Sequence, residues 1–155
     1  MTNAAAPKTE TKDDDPIWIV VGKTADLGVI DEAVAKACGC SPGIIRLAEG
    51  FQNARGVGFG LKHLEANAGR VAQLKDLGLK SATQSIASVA ANWTLMVRAQ
   101  EAGRICVAQI VGGREIKMVL ERFQKGEKAY WSVVTLIPGR RSKPSDVLFE
   151  KSTAE

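Results

Sequence analysis

The feature that most restricts what this chain can fold into is a change of hydrophobic period at Gly103. Before it, apolar residues recur at three- and four-residue intervals, the spacing of one helix face. Val29/Ile30, Ala33/Val34 and Ala37 predict a helix over 27–38 with Gly39 just past its end. Leu64, Ala68, Val71 and Leu74 predict a second over 61–77, closed by Gly78. Ile86, Val89/Ala90, Trp93 and Met96/Val97 predict a third over 81–102. After Gly103 the period drops to two. Ile105–Val111, Glu115–Phe123 and Lys128–Ile137 read as strands, joined by turns at Gly112-Gly113 and Lys125-Gly126-Glu127. A last short strand around Val147–Phe149 follows the turn Arg140-Arg141-Ser142-Lys143. Two earlier runs, Ile17–Val21 and Ile44–Leu47, also read as short strands, and Gly50–Gly60 as a glycine-rich loop. The expected fold class is α+β, with N-terminal helices packed on one face of a C-terminal four-stranded antiparallel sheet over 104–149.

A chain of 155 residues, 45% hydrophobic and 25% charged, suits one globular domain. No apolar run approaches the ~20 residues that span a bilayer, and Met1–Asp15 lacks the apolar stretch of a secretory signal. Residues 1–15 read as a flexible tail or linker, 16–150 as the domain and 151–155 as a loose tail. With three cysteines, two of them in Cys38-Gly39-Cys40, a disulfide framework is not expected and a reducing compartment is the default. The formal charge is +4. Lys8 and Lys12 are outnumbered by Glu10, Asp13, Asp14 and Asp15, so the basic excess lies entirely beyond the tail. A compact basic domain is mildly suited to a polyanion such as RNA or DNA.

Common catalytic and cofactor motifs fail on spacing. Val21-Gly22-Lys23-Thr24 lacks the earlier glycine of a phosphate-binding loop, because position 17 is isoleucine. In Gly56-Val57-Gly58-Phe59-Gly60 the third glycine comes one position too early for a dinucleotide fingerprint. Cys38 and Cys40 have no partner cluster at zinc spacing, so neither metal nor cofactor is expected. No serine occupies a nucleophile-elbow context. His63, the single histidine, is then the one conventional acid/base near neutral pH. It falls in the first turn of a predicted helix, beside Lys62, where unpaired N–H groups welcome an anion. Arg55 precedes this turn and Arg70 lies two helical turns beyond His63. A lone histidine at such a place is ordinarily a surface residue with a solvated lysine for a neighbour.

The stretch Gly58-Phe59-Gly60-Leu61-Lys62-His63-Leu64-Glu65-Ala66 opens a helix pair, and a meander containing Tyr130-Trp131-Ser132-Val133-Val134-Thr135 follows. This combination resembles the barnase–EndoU–colicin–RelE-like (BECR) superfamily of metal-independent ribonucleases, in particular its phage-associated toxin branch. The resemblance spans Ile17–Phe149, and its specific part is the Lys-His helix start and the aromatic-Ser/Thr strand. It implies an endoribonuclease toxin domain that turns the 2′-hydroxyl of RNA onto the adjacent phosphate and leaves a 2′,3′-cyclic phosphate. Matched position by position, it implies catalytic roles for Lys62, His63, Ser132, Thr135 and Arg141. It implies a phosphate clamp at Arg140 beside Arg141, and position and charge add Arg55, Arg70, Lys143 and Trp131 as candidate substrate contacts. Strand alternation puts Ser132 and Thr135 on opposite faces, so at most one of them belongs in the site. If Trp131 is core, Ser132 is the better candidate; if it is exposed, Trp131 can stack on a base. Core burial is also expected for Trp18 and Trp93. A second histidine, present in some branches, is missing. Other basic residues on the hairpins, Arg104, Arg114, Lys117, Arg122, Lys125 and Lys128, either widen an RNA surface or simply guard strand edges.

The implied partners are RNA, tRNA among the candidates, and an acidic immunity or antitoxin protein. The expected site of action is cytoplasmic, and the resemblance is compatible with delivery or secretion as part of a larger protein. The alternatives are a non-catalytic nucleic-acid-binding or phage accessory protein on the same scaffold, and an interaction module for an acidic partner.

Overall fold

The computed structural model describes residues 17–52, 58–76, 78 and 81–151. The acidic tail, Arg55 and the last four residues lie outside them. The described chain forms β1 (Gly28–Ile30), α1 (Glu32–Cys38), β2 (Gly43–Arg46), β3 (Phe51–Gln52), β4 (Gly58–Phe59), α2 (Gly60–Glu65), α3 (Ala68–Asp76) and α4 (Ala82–Asn92). Strands β5 (Leu95–Val97), β6 (Arg104–Val111), β7 (Arg114–Lys125) and β8 (Lys128–Gly139) follow. A single 3₁₀ turn, Pro144–Asp146, leads into β9 (Val147–Glu150).

The four-stranded antiparallel sheet is corrected by this topology. Seven strands form one mixed sheet that curls into a half-barrel, in the order β1-β2-β8-β7-β6-β5-β9, while β3 and β4 make a separate ribbon. The meander β6-β7-β8 is antiparallel as expected. β2, however, pairs parallel with β8, Ile45 opposite Trp131. β9 does not return to β8; it crosses to the far edge and pairs with β5.

Two strands were concealed in predicted helices. Asp31 caps α1 by accepting the Val34 N–H at 2.9 Å, so the helix begins at Glu32 and the residues before it extend into β1. Gly28 is required there, because a Cβ would drive into the carbonyl of Ala90 on α4. α4 begins at Ser81, whose hydroxyl accepts the Gln84 N–H, and ends at Asn92, where Trp93 turns extended. Met96 and Val97 therefore belong to β5, buried on both sides. A short run buried on both faces shows no alternation, and its apolar residues merge into the preceding helical stripe. The predicted strand over 17–21 is reduced to isolated bridges, Trp18 to Ala48 and Val21 to Thr24.

The main core lies on one face of the sheet. Ile105, Val107, Ile116, Met118, Leu120 and Leu136 pack there against Ile86, Val89 and Trp93 of the α4 region. A smaller cluster of Leu95, Val97, Cys106 and Ala108 sits on the opposite face. Burying a large apolar side chain is worth ~1.5–3 kcal/mol, so the larger cluster on the first face contributes most to holding the fold together; the second, open to solvent along a groove, carries the smaller one. Lys151 is anchored, its ammonium 3.8 Å above the Trp93 ring and its N–H on Thr94 O.

Candidate functional site

The local sequence around His63 folds differently from a plain helix start. Gly60 takes a left-handed φ of 79° and a Cβ on it would sit 2.6 Å from Ala48 O, so only glycine serves here. The next two N–H groups, of Leu61 and Lys62, donate to Ala48 O and Glu49 O at 3.0 Å. These amides, expected to receive an anion, instead tie α2 to the chain leaving β2. Lys62 forms an ion pair with Glu49 at 3.3 Å.

The predicted helix over 61–77 is interrupted at Asn67, whose side chain accepts the Arg70 N–H at 2.9 Å and caps α3. A short amide that can bond to the backbone competes with helix continuation and favours this restart. Arg70 then reaches the sheet. Its Nη1 donates to Thr135 Oγ1 at 3.1 Å, and Thr135 is only 8% exposed. His63 is half-buried. Burial lowers its pKa below the usual 6.5, and the positive guanidinium groups of Arg70 and Arg104 lower it further. The imidazole is thus predominantly neutral at pH 7, with two cations close by.

The strand register explains how Thr135 comes to the open face. Val119 pairs with Thr135 but Leu120 pairs with Val133, so Val134 is an extra residue, a β-bulge. Ser132, opposite Glu121, and Thr135, opposite Val119, therefore share a face. The expectation that only one of them could be in the site fails on this single inserted residue. The face is the one away from α4, because Val119 pairs with Cys106 of the smaller cluster.

Trp131 faces the main core. It is 4% exposed, its Nε1 donates to Ser41 O at 2.9 Å, and Arg122 lies over its ring. It is not available to stack on a base. Trp93 is buried as expected, whereas Trp18 is half-buried and packs edge-on against Phe123 and Tyr130, with Arg46 4.2 Å above Tyr130. Arg46 is itself paired with Asp26.

Beside Thr135 the open face forms a groove of about 710 Å³. Cys106, Val119 and Ile137 line its floor; Arg98, Arg104 and Lys117 supply positive charge. Arg104 pairs with Glu101, and with Glu121 at 3.4 Å. The far wall includes Ser142, from the basic turn. That turn is fastened by Glu115, a carboxylate only 1% exposed, which accepts the Ser142 N–H at 2.8 Å and also the Ser142 hydroxyl. Arg140, Arg141 and Lys143 themselves are exposed.

Of the predicted site residues, His63, Arg70 and Thr135 are brought together, Ser132 shares their face, and Arg140, Arg141 and Lys143 stand on the turn beyond the groove. Lys62 is engaged with Glu49, Trp131 is in the core, and Arg55 lies outside the described residues. Arg104 and Glu115 acquire roles that sequence reasoning missed. The sequence ranks Arg104 only among the hairpin residues that either widen an RNA surface or guard strand edges, with nothing to tie it to His63. Glu115 fell on the polar side of an alternating strand, and nothing local signals that a turn 27 residues later buries it. Among the described residues, no group of three His, Cys, Asp or Glu side chains gathers as a metal would require, and no helix is long and apolar enough to cross a membrane.

No protein-family profile, curated protein or solved structure matches the chain.

Proposed function

We propose that this chain is an endoribonuclease domain of the metal-independent, toxin-like kind suggested by its resemblance to the BECR superfamily. One observation carries the reading: Arg70 is hydrogen-bonded to Thr135 while it and Arg104 act electrostatically on a half-buried, neutral His63. Transfer of an RNA phosphate to its own 2′-oxygen needs a base for the hydroxyl and positive charge for the phosphorane. His63 in its neutral form accepts the 2′-hydroxyl proton as the O2′–P bond forms. Arg70 and Arg104 balance the phosphorane charge, with Thr135 orienting Arg70. The P–O5′ bond then breaks, leaving a 2′,3′-cyclic phosphate, and the departing 5′-oxygen takes a proton from water. Lys62 and Arg141 have no part in this step; Arg140, Arg141 and Lys143 contribute to holding RNA, and Ser132 extends the polar face towards Glu121.

In this reading the domain acts on cytoplasmic RNA, and a producing cell restrains it with an acidic immunity or antitoxin protein laid over His63 and Arg140-Arg141. Such an association is fast and slows steeply with salt. The second reading, a non-catalytic nucleic-acid-binding or phage accessory protein, draws support from the single histidine and from the pairing of Arg104 with two glutamates.

Purified protein incubated with total RNA in EDTA separates the two. Cleavage ending in 2′,3′-cyclic phosphates is expected, with His63→Ala slower by about 10²–10⁴-fold at unchanged thermal stability. RNA that is bound but left intact favours the second reading. RNA neither bound nor cut rejects both.

A further inference from the structure

We infer that the groove between Thr135 and Ser142 is a nucleobase subsite, seating the base of the nucleotide whose phosphate lies at Arg70 and Thr135. The inference rests on the ribonuclease reading for the identity of that phosphate, but the groove is a built feature in its own right.

Continuity is the first support. Thr135 accepts from Arg70 and also lines the groove, and Arg104 both lines it and acts on His63. A ligand with its anion at the arginines therefore has the groove directly beside it. The second support is the floor. Cys106, Val119 and Ile137 offer aliphatic and sulfur surface, and burial raises the Cys106 thiol pKa, so it stays protonated and behaves as a small apolar group. A site for inorganic phosphate alone needs no such floor, whereas the flat face of a heterocycle does. Third, the edge is polar and mixed. The Gln100 amide can both donate and accept, and the Arg98 and Lys117 cations sit among the acids Glu101 and Asp146. This variety suits the edge of a base better than a lipid tail.

The walls are also fixed before any ligand arrives. Ser142 is held by buried Glu115, and the Arg98 N–H donates to Asp146 O at 2.8 Å, joining the two segments that flank the opening. A volume of about 710 Å³ lies within the range of small-molecule sites, ~300–1,000 Å³.

The test is titration of the intact chain with the 3′-monophosphates of adenosine, guanosine, cytidine and uridine, and separately with inorganic phosphate, followed by amide chemical shifts. At least one nucleotide should bind about tenfold or more tightly than phosphate and perturb Cys106, Val119 and Ile137. Ala99→Trp, at the groove wall, should weaken that nucleotide about tenfold while leaving phosphate binding unchanged. Should this variant misfold, the smaller Ala99→Leu narrows the same opening and should weaken the nucleotide in the same direction. Nucleotides that bind no better than phosphate, or that bind the filled variants equally well, overturn the subsite. If RNA is cleaved under that result, the ribonuclease reading survives alone. If nucleotides bind as expected and RNA stays intact, the groove stands as a nucleotide site and the ribonuclease reading falls.

Discussion

Replacing Glu115 by alanine should loosen the basic turn and destabilise the whole domain by about 2–3 kcal/mol. The carboxylate is buried and accepts two bonds from one residue, the Ser142 N–H at 2.8 Å and the Ser142 hydroxyl. Hydrogen bonds to a charged acceptor contribute about 1.5–3 kcal/mol each, which sets an upper range of ~3–6 kcal/mol. Two effects reduce it. Ser142 is only half-buried, so its freed N–H can turn to water, and removing the carboxylate also removes the cost of keeping a charge out of solvent. Lys117, 4.0 Å away and 35% exposed, adds little. For a domain of this size, each kcal/mol moves the melting temperature by about 2–4 °C, so a loss of ~4–12 °C is expected. Thermal unfolding of wild type, Glu115→Ala, Ser142→Ala and the double variant completes a thermodynamic cycle. A coupling of about 1–3 kcal/mol should appear between the two positions. Additive effects, or a Glu115→Ala loss under about 0.5 kcal/mol, would refute the claim that this buried carboxylate holds the turn.

Two further outcomes are expected. Because the folded-state pKa of His63 lies below its unfolded value, the unfolded chain binds the extra proton first as pH falls, so stability should decline as pH drops through 6.5 toward the folded pKa and be retained above it. An NMR titration of the imidazole checks the direction, and a midpoint at or above 6.5 contradicts it; any RNA cleavage should lose rate on the same acidic side. Gly28→Ala should cost about 1–3 kcal/mol by forcing β1 away from Ala90, measurable by denaturant unfolding, and an unchanged midpoint would mean that the close approach of β1 to α4 is not constrained.

The central meander was legible from residues taken a few at a time, although the sheet as a whole was not. The alternation after Gly103 and the glycine turns carry β6, β7 and β8, because side-chain period and turn chemistry are local properties. The start of α4 at Ser81 is local too, its hydroxyl accepting an N–H three residues on, whereas the Asp31 cap falls inside the helix expected from 27 and emerges only in the structure. The sequence also singled out His63, Arg70 and Thr135, although for reasons of composition and resemblance, with no means of showing that they meet. What only the tertiary structure decided was whatever depends on partners distant in the chain. The parallel insertion of β2 beside β8, and the crossing of β9 to β5, follow from which apolar faces find each other after collapse. The β-bulge at Val134 exists only as a mismatch of register between two strands, and it alone puts Ser132 and Thr135 on one face. Arg70 meets Thr135 across 65 residues and Glu115 is buried by a turn 27 residues later. Local sequence determines which way a chain can bend and which side chains alternate; it does not determine which polar groups must satisfy one another once water is excluded, and it is those long-range pairings that assemble the site.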